Sequence, residues 1–355
     1  MTKNYIERRI AYSNKFVDVN NLKQFDVNTK EIEQVIKKYP MKINPYYLNL
    51  IEKKNDPIWK QSIPDLKELI DARGDVDPLK EDQYSPVQGL VHRYPDRVLL
   101  LVSNRCAMYC RFCTRKRKVG KKYTSIREGD FKKAIKYIEL HEEIRDVIIS
   151  GGDPLLLNND KLEHYISNVR KIKHVEIIRI DSRIPCTFPQ RITLDLCKML
   201  KKYPPIYFLT HFNHPREVTE EAKNACEILA ESGVVMGNQS VLLKDVNDDS
   251  KTLMKLNQEL LKCRVRPYYL YIPDAVCGTA HFHVSIEEAL KIMEEMFGFT
   301  SGLAVPRLII DLVDGGGKIP LCPDSIVERV DNKYIFKNFE GKEFTYNENW
   351  GRDSL

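Results

Sequence analysis

Val98-Leu99-Leu100-Leu101-Val102-Ser103-Asn104-Arg105-Cys106-Ala107-Met108-Tyr109-Cys110-Arg111-Phe112-Cys113 runs from a short apolar segment of strand character into three cysteines spaced C-x3-C-x2-C. Four thiolates ordinarily complete the ligand set of an iron–sulfur cluster. Three leave one iron with an open position, where a small molecule can bind the metal and react. A zinc knuckle or buried thiols are the alternative readings. Structural zinc takes four protein ligands in a closed site. No Cys or His follows Cys113 within twenty residues to supply the fourth.

The rest of the composition agrees with an enzyme of a reducing compartment. The chain has 355 residues, 43% of them hydrophobic, enough for one large domain with appendages. It has no apolar run of eighteen residues and no apolar segment near the N-terminus, so neither a membrane span nor a signal peptide is expected. Nine cysteines, an odd number, do not suggest a secreted disulfide framework. A cytoplasmic setting is expected for an oxygen-sensitive cluster. The net charge of +6 is modest for this length. The basic run Arg115-Lys116-Arg117-Lys118 could suggest nucleic acid. Its position directly after the cysteines favours a local role instead.

Residues 1–90 read as a helical, charged N-terminal region, with apolar residues at helical spacing over 29–39, 44–54 and 64–73. From residue 97 short apolar runs alternate with longer amphipathic stretches. Strands are expected at Val98–Ser103, Asp146–Ser150, Val175–Ile180, Ile206–Thr210, Val234–Ser240 and Pro267–Ile272. Helices are expected near 128–141, 159–171, 193–202, 216–231, 250–262 and 286–297. A last apolar run, Arg307–Leu312, precedes a tail with strand character over about 325–348. Alternating strands and helices imply β/α units on a parallel sheet. Six such units suggest a full or partial β/α barrel, which periodicity alone does not separate from a doubly wound sheet.

Ligands of such folds bind at the C-terminal ends of the strands, and the polar motifs fall there. Ser150-Gly151-Gly152-Asp153-Pro154 follows the second strand; its glycines permit close backbone approach. Gly237-Asn238-Gln239-Ser240 ends the fifth, where Asn238 and Gln239 suit either ligand contacts or a network at the barrel rim. Asp311-Leu312-Val313-Asp314-Gly315-Gly316-Gly317-Lys318 lacks the G-x4-G-K-[ST] pattern of a phosphate loop, because Ile319-Pro320 follows. It reads either as a solvated loop or as a flexible arm that presents an amine to a cofactor.

The cysteine motif resembles the signature of the radical S-adenosylmethionine (SAM) enzymes. From about Tyr84 to Tyr346 the chain closely resembles the lysine 2,3-aminomutase family. The likeness is carried by His92–Leu101, Thr210-His211-Phe212-Asn213-His214-Pro215, Gly237–Leu243, Arg264–Tyr269 and Gly315-Gly316-Gly317-Lys318. It implies an α/β fold with a radical SAM partial (β/α)6 barrel, a helical N-terminal extension and a small C-terminal region. The corresponding divisions are 1–90, 91–300 and 301–355. It also implies a [4Fe–4S] cluster on Cys106, Cys110 and Cys113, and SAM bound at Ser150, Gly151, Gly152, Asp153 and Gln239. Pyridoxal 5′-phosphate (PLP) is expected on Lys318, with Arg93, Tyr94 and Arg97 around its phosphate and Tyr271 beside its ring. Arg115 matches the residue for the substrate α-carboxylate. Asp274 and Asp311 match the carboxylate pair that receives the ε-ammonium of lysine. The expected reaction moves the amino group of L-lysine from C2 to C3, giving β-lysine. A flavodoxin or ferredoxin is the expected electron donor, and a homo-oligomer the expected assembly.

Three departures bear on this reading. Members of the longer type bind zinc through C-terminal cysteines, whereas no cysteine follows Cys322 here and Asp249 stands at the more distant zinc position, so no zinc is expected. Phe112 replaces a histidine within the cysteine motif. Asp314 adds an acid beside the glycines, and the loop 275–283 differs, which opens the alternative of another cationic substrate such as arginine. Supply of β-lysine for modifying elongation factor P is a further alternative.

Overall fold

A computed structural model gives the fold and describes residues 17–70, 74–121, 126–331 and 333–347. Its centre is a nine-stranded sheet in sequence order. The strands are β1 (Leu90–Tyr94), β2 (Arg97–Ser103), β3 (Asp146–Gly151), β4 (Ile177–Asp181), β5 (Ile206–Thr210), β6 (Val235–Val241), β7 (Arg266–Tyr271), β8 (Arg307–Leu312) and β9 (Gly317–Leu321). β2 to β8 run parallel; β1 and β9 are antiparallel edges. The sheet therefore contains seven parallel strands, one more than six, because the run Arg307–Leu312 continues the barrel-like curve. Each strand from β2 to β7 is followed by a helix, so six β/α units are present.

The helices between the strands form where apolar residues recur at helical spacing. Glu128–Leu140 buries Phe131, Ala134 and Ile138; Asn159–Arg170 buries Leu162, Tyr165, Ile166 and Val169. Both faces lie in one core with Val98, Leu100 and Val102 of β2 and Ile178 and Ile180 of β4. Strand alternation sends the intervening side chains, among them Leu99, Arg179 and Asp181, to a cavity within the curve. Asp249, at the position matched to a zinc cysteine, caps the helix Ser250–Lys262 by accepting from the Thr252 N–H at 2.8 Å.

The N-terminal region is less helical than its periodicity suggests. The expected 44–54 helix shrinks to Pro45–Leu48, and the 64–73 helix is seen as Lys67–Ile70, with 71–73 outside the described residues. Pro57–Ser62 adds a helix opened by Asp56, whose carboxylate accepts from the N–H groups of Ile58 and Trp59. Pro45 and Pro57 each stand at the first position of their helix, where a proline is tolerated, and Pro64 follows the second of them. At the other end, β10 (Ile326–Val330), β11 (Lys333–Lys337) and β12 (Glu343–Asn347) form a separate antiparallel sheet. No helix among the described residues is long and apolar enough to cross a membrane.

Candidate active site

The cavity inside the curved sheet has a volume of about 550 Å³, and every residue that the family resemblance assigned to cluster, SAM, PLP or substrate lines it. Three groups of side chains divide it.

The first group is the cysteine loop after β2. Cys106, Cys110 and Cys113 share this wall, and the Cys110 sulfur accepts from Arg183 Nη1 at 2.8 Å. Arg183 Nη2 donates to Gln61 Oε1 at 2.6 Å and to Glu217 Oε1 at 2.8 Å, tying the loop to the N-terminal region and to the end of β5. Burial pushes the Cys106 and Cys113 thiols up, Cys113 to about 11. A metal must therefore displace their protons on binding. No group of three His, Cys, Asp or Glu side chains among the described residues gathers around a single-ion position. Thiolates that each hold a different iron of a cluster need not converge in that way. Three sulfur donors on one loop facing a cavity fit such a cluster.

The glycine segment after β3 backs onto this loop. A Cβ on Gly151 would stand 2.2 Å from the Ser103 carbonyl oxygen, and one on Gly152 2.5 Å from that of Arg105. The same backbones are joined by Gly152 N–H to Ser103 O at 2.5 Å and Asp153 N–H to Arg105 O at 2.6 Å. The glycines thus seat the cysteine loop as well as bordering the cavity. The Asp153 carboxylate accepts from the Leu155 and Arg183 N–H groups and from Ser182 Oγ. Burial pushes it up to about 6. Asn238 belongs to the rim network, bridging to Phe212 and Ser240, whereas Gln239 lines the cavity.

The second group surrounds Lys318. Lys318 belongs to a strand rather than to a flexible arm, which corrects the reading from glycine content. Asp314, Gly315 and Gly317 take positive φ (56°, 79° and 84°), reversing the chain between β8 and β9. The register then sets Lys318 opposite Asp311. Lys318 Nζ reaches Asp311 Oδ2 at 2.7 Å, and its backbone N–H donates to Tyr94 Oη at 3.1 Å. Its ammonium lies 5.5 Å from the Tyr94 ring centre and 5.7 Å from that of Tyr271. Arg93 Nη2 donates to both Asp311 oxygens at 2.9 and 3.0 Å, and Arg97 stacks over Tyr94 at 4.3 Å. A primary amine flanked by two aromatic rings and two guanidinium groups fits a pyridoxal phosphate. Asp314 lies outside this group: it is exposed, pairs with Lys80 at 3.3 Å and is absent from the cavity lining. It therefore gives no support to an acid that selects another cationic substrate.

The third group holds Arg115 and Asp274. Glu81 Oε1 accepts from Arg115 Nε and Nη2, each at 2.7 Å. Asp274 Oδ2 accepts from Thr114 Oγ1 at 2.6 Å, and burial pushes its carboxyl up to about 6. The basic run is neutralised within the chain: Lys116 pairs with Glu68, Arg117 with Asp77 and Asp82, and Lys118 with Glu81 and Asp82. For Lys116, Arg117 and Lys118 the local role is therefore a set of intramolecular ion pairs.

Sequence reasoning passed over Glu81, Thr114, Arg183 and Asp181. Asp181 had a usable signal, a polar residue ending the alternating strand Ile177-Ile178-Arg179-Ile180-Asp181. Glu81 and Arg183 had none, because their partners are distant in sequence.

A loop of three cysteines after the first parallel strand of a curved β/α sheet is the arrangement expected of a radical SAM enzyme, and similarity to known proteins shows that class. The Radical SAM superfamily model matches residues 100–256, and a model described as Lysine-2,3-aminomutase matches residues 293–351. The chain belongs to the lysine 2,3-aminomutase family, whose members are isomerases. It is 48% identical to the L-lysine 2,3-aminomutase of Methanococcus maripaludis over 95% of this chain and 80% of the relative. It is also 48% identical to that of Clostridium subterminale, over 94% and 82%. The glutamate 2,3-aminomutase of Clostridioides difficile is 44% identical over 93% and 80%. Membership in the radical SAM superfamily brings a [4Fe–4S] cluster and SAM.

Proposed function

We propose that this chain is a PLP-dependent 2,3-aminomutase that converts L-lysine to β-lysine. The observation that carries the reading is Lys318 set opposite Asp311, between Tyr94 and Tyr271, in the same cavity as the three cysteines. Bound PLP would supply a π-system that stabilises a substrate radical, and the cluster with SAM would generate the radical.

The chain's own residues provide attachment, orientation and charge matching. Cys106, Cys110 and Cys113 hold the cluster, and the Ser150–Asp153 segment with Gln239 borders SAM. Arg93 and Arg97 suit phosphate oxygens. Arg115, aligned by Glu81, receives the substrate α-carboxylate. Asp274 and Asp311 receive the side-chain ammonium, a group that is costly to desolvate unless paired. Asp311 is neutralised by Lys318 and Arg93; once both serve the cofactor, its charge becomes available to the substrate. Two carboxylates at that end would repel a glutamate side chain. An electron from a flavodoxin or ferredoxin, a cytoplasmic setting and a homo-oligomer complete the proposal.

The test is anaerobic: reconstituted protein with PLP, SAM and dithionite is given lysine, arginine or glutamate separately, and products are resolved by chromatography and mass spectrometry. β-Lysine with little net loss of SAM supports the reading. A β-isomer of glutamate or arginine alone overturns the substrate, and deoxyadenosine accumulating without a β-amino acid overturns the reaction.

A further inference from the structure

Asp181 ends β4 at the cavity wall, and its Oδ1 is closed to solvent with no hydrogen-bond partner among the described residues. Three cations lie within its electrostatic reach: Arg179, Arg115 and Lys318. Each is committed to another carboxylate. Arg179 forks onto Asp146 at 3.0 and 2.9 Å, Arg115 onto Glu81 at 2.7 Å, and Lys318 reaches Asp311 at 2.7 Å. Buried acceptors in folded proteins almost always have a donor. None of these three cations donates to this oxygen, so the donor is to be sought in a small molecule that fills the cavity.

A pyridine cofactor held by Lys318 carries such a donor. Its ring nitrogen lies para to the ring carbon that bears the aldehyde, the group the lysine would hold, and so would face away from Lys318. After burial, Asp181 is the largest charge acting on Tyr271, whose ring flanks Lys318. A carboxylate at the ring nitrogen keeps that nitrogen protonated and makes the ring a better electron sink. We propose that Asp181 Oδ1 accepts the hydrogen bond of the protonated ring nitrogen of the cofactor on Lys318. The proposal rests on the Lys318 reading above. The substrate's own ammonium group offers the same donor chemistry, and the experiment separates the two.

The full chain, stripped of cofactor, is titrated with PLP and with its 1-deaza analogue, in which CH replaces the ring nitrogen. Binding is read by absorbance and fluorescence, and borohydride trapping with peptide mass mapping locates the attachment. The native chain is expected to favour PLP by about tenfold or more, and Asp181→Ala to lose most of that preference, as for a hydrogen bond to a charged group. If Asp181→Ala fails to fold, Asp181→Asn keeps the shape and is expected to lower the preference likewise. An equal preference in the native chain and the variant overturns the proposal. So does an unchanged preference accompanied by weaker lysine binding to the loaded variant, since the donor is then the substrate. Trapping at a residue other than Lys318 overturns the attachment reading itself, whatever the preference.

Discussion

Asp274 and Asp181 are half-buried residues whose desolvated carboxyls are pushed up to about 6, from an ordinary 3.8. Between those values the folded chain keeps protons that the unfolded chain has released. Their contribution to stability therefore falls as pH rises through the window, and the loss is complete above it. Replacing Asp181 with Asn removes that loss. Well above the window the cofactor-free variant is expected to be more stable than the native chain by about 1–3 kcal/mol, seen as a higher melting temperature. The advantage should vanish at the low end, which paired thermal melts across pH will show. Asp274→Asn should raise the KM for lysine about tenfold or more with a smaller change in kcat, as expected for loss of a charged hydrogen bond to a bound ammonium. Unchanged lysine kinetics would remove Asp274 from the substrate site. Lys318→Ala should abolish covalent PLP retention, read by absorbance after gel filtration. At this scale the sequence was most legible where a residue type has few uses. A triplet of cysteines and a lysine behind glycines were visible, whereas the carboxylates acquire meaning only from what lies opposite them.

The β8–β9 hairpin is the element on which the Lys318 assignment depends. Its turn needs Gly315 at φ 79°, and a Cβ there would stand 2.4 Å from the Tyr84 ring. Gly315→Ala should shift the register that pairs Asp311 with Lys318. The expected result is weaker PLP retention in a chain whose cysteine loop still takes up iron, measured as bound PLP and iron per chain. Gly152→Ala should give the opposite pattern. Its added Cβ strikes the Arg105 backbone at 2.5 Å, next to Cys106, so iron content should fall while Lys318 remains able to bind PLP. Strand and helix positions of the barrel were legible because their apolar residues repeat at fixed periods over several turns. The hairpin was not, since three glycines in sequence signal conformational freedom and only the pairing with β8 uses that freedom to fix a strand.

Across the whole molecule, the N-terminal region acts on the site through buried charge. Glu68 and Arg111, with side chains 0% and 2% exposed, pair at 2.5 Å, and Lys116 joins them at 2.8 Å. Arg111 lies inside the cysteine motif, so this pair anchors the cluster loop to a helix more than forty residues away in sequence. Removing one partner strands a buried charge. Glu68→Ala is expected to cost about 3–5 kcal/mol and to lower iron loading along with the melting temperature; normal loading would show that the loop is held by other contacts. Sequence by itself determined the kind of protein this is: cysteine spacing, β/α alternation and the ordered family motifs are local in the chain and can be read in line. The tertiary structure alone decided which carboxylate each cation meets. Glu81 with Arg115, Glu68 with Arg111 and Asp311 with Arg93 join residues 34, 43 and 218 positions apart. Such pairings are set by the curve of the sheet and by the N-terminal region packed against the cysteine loop, so no local pattern encodes them. The same curvature leaves Asp181 with an Oδ1 that has no partner among the described residues.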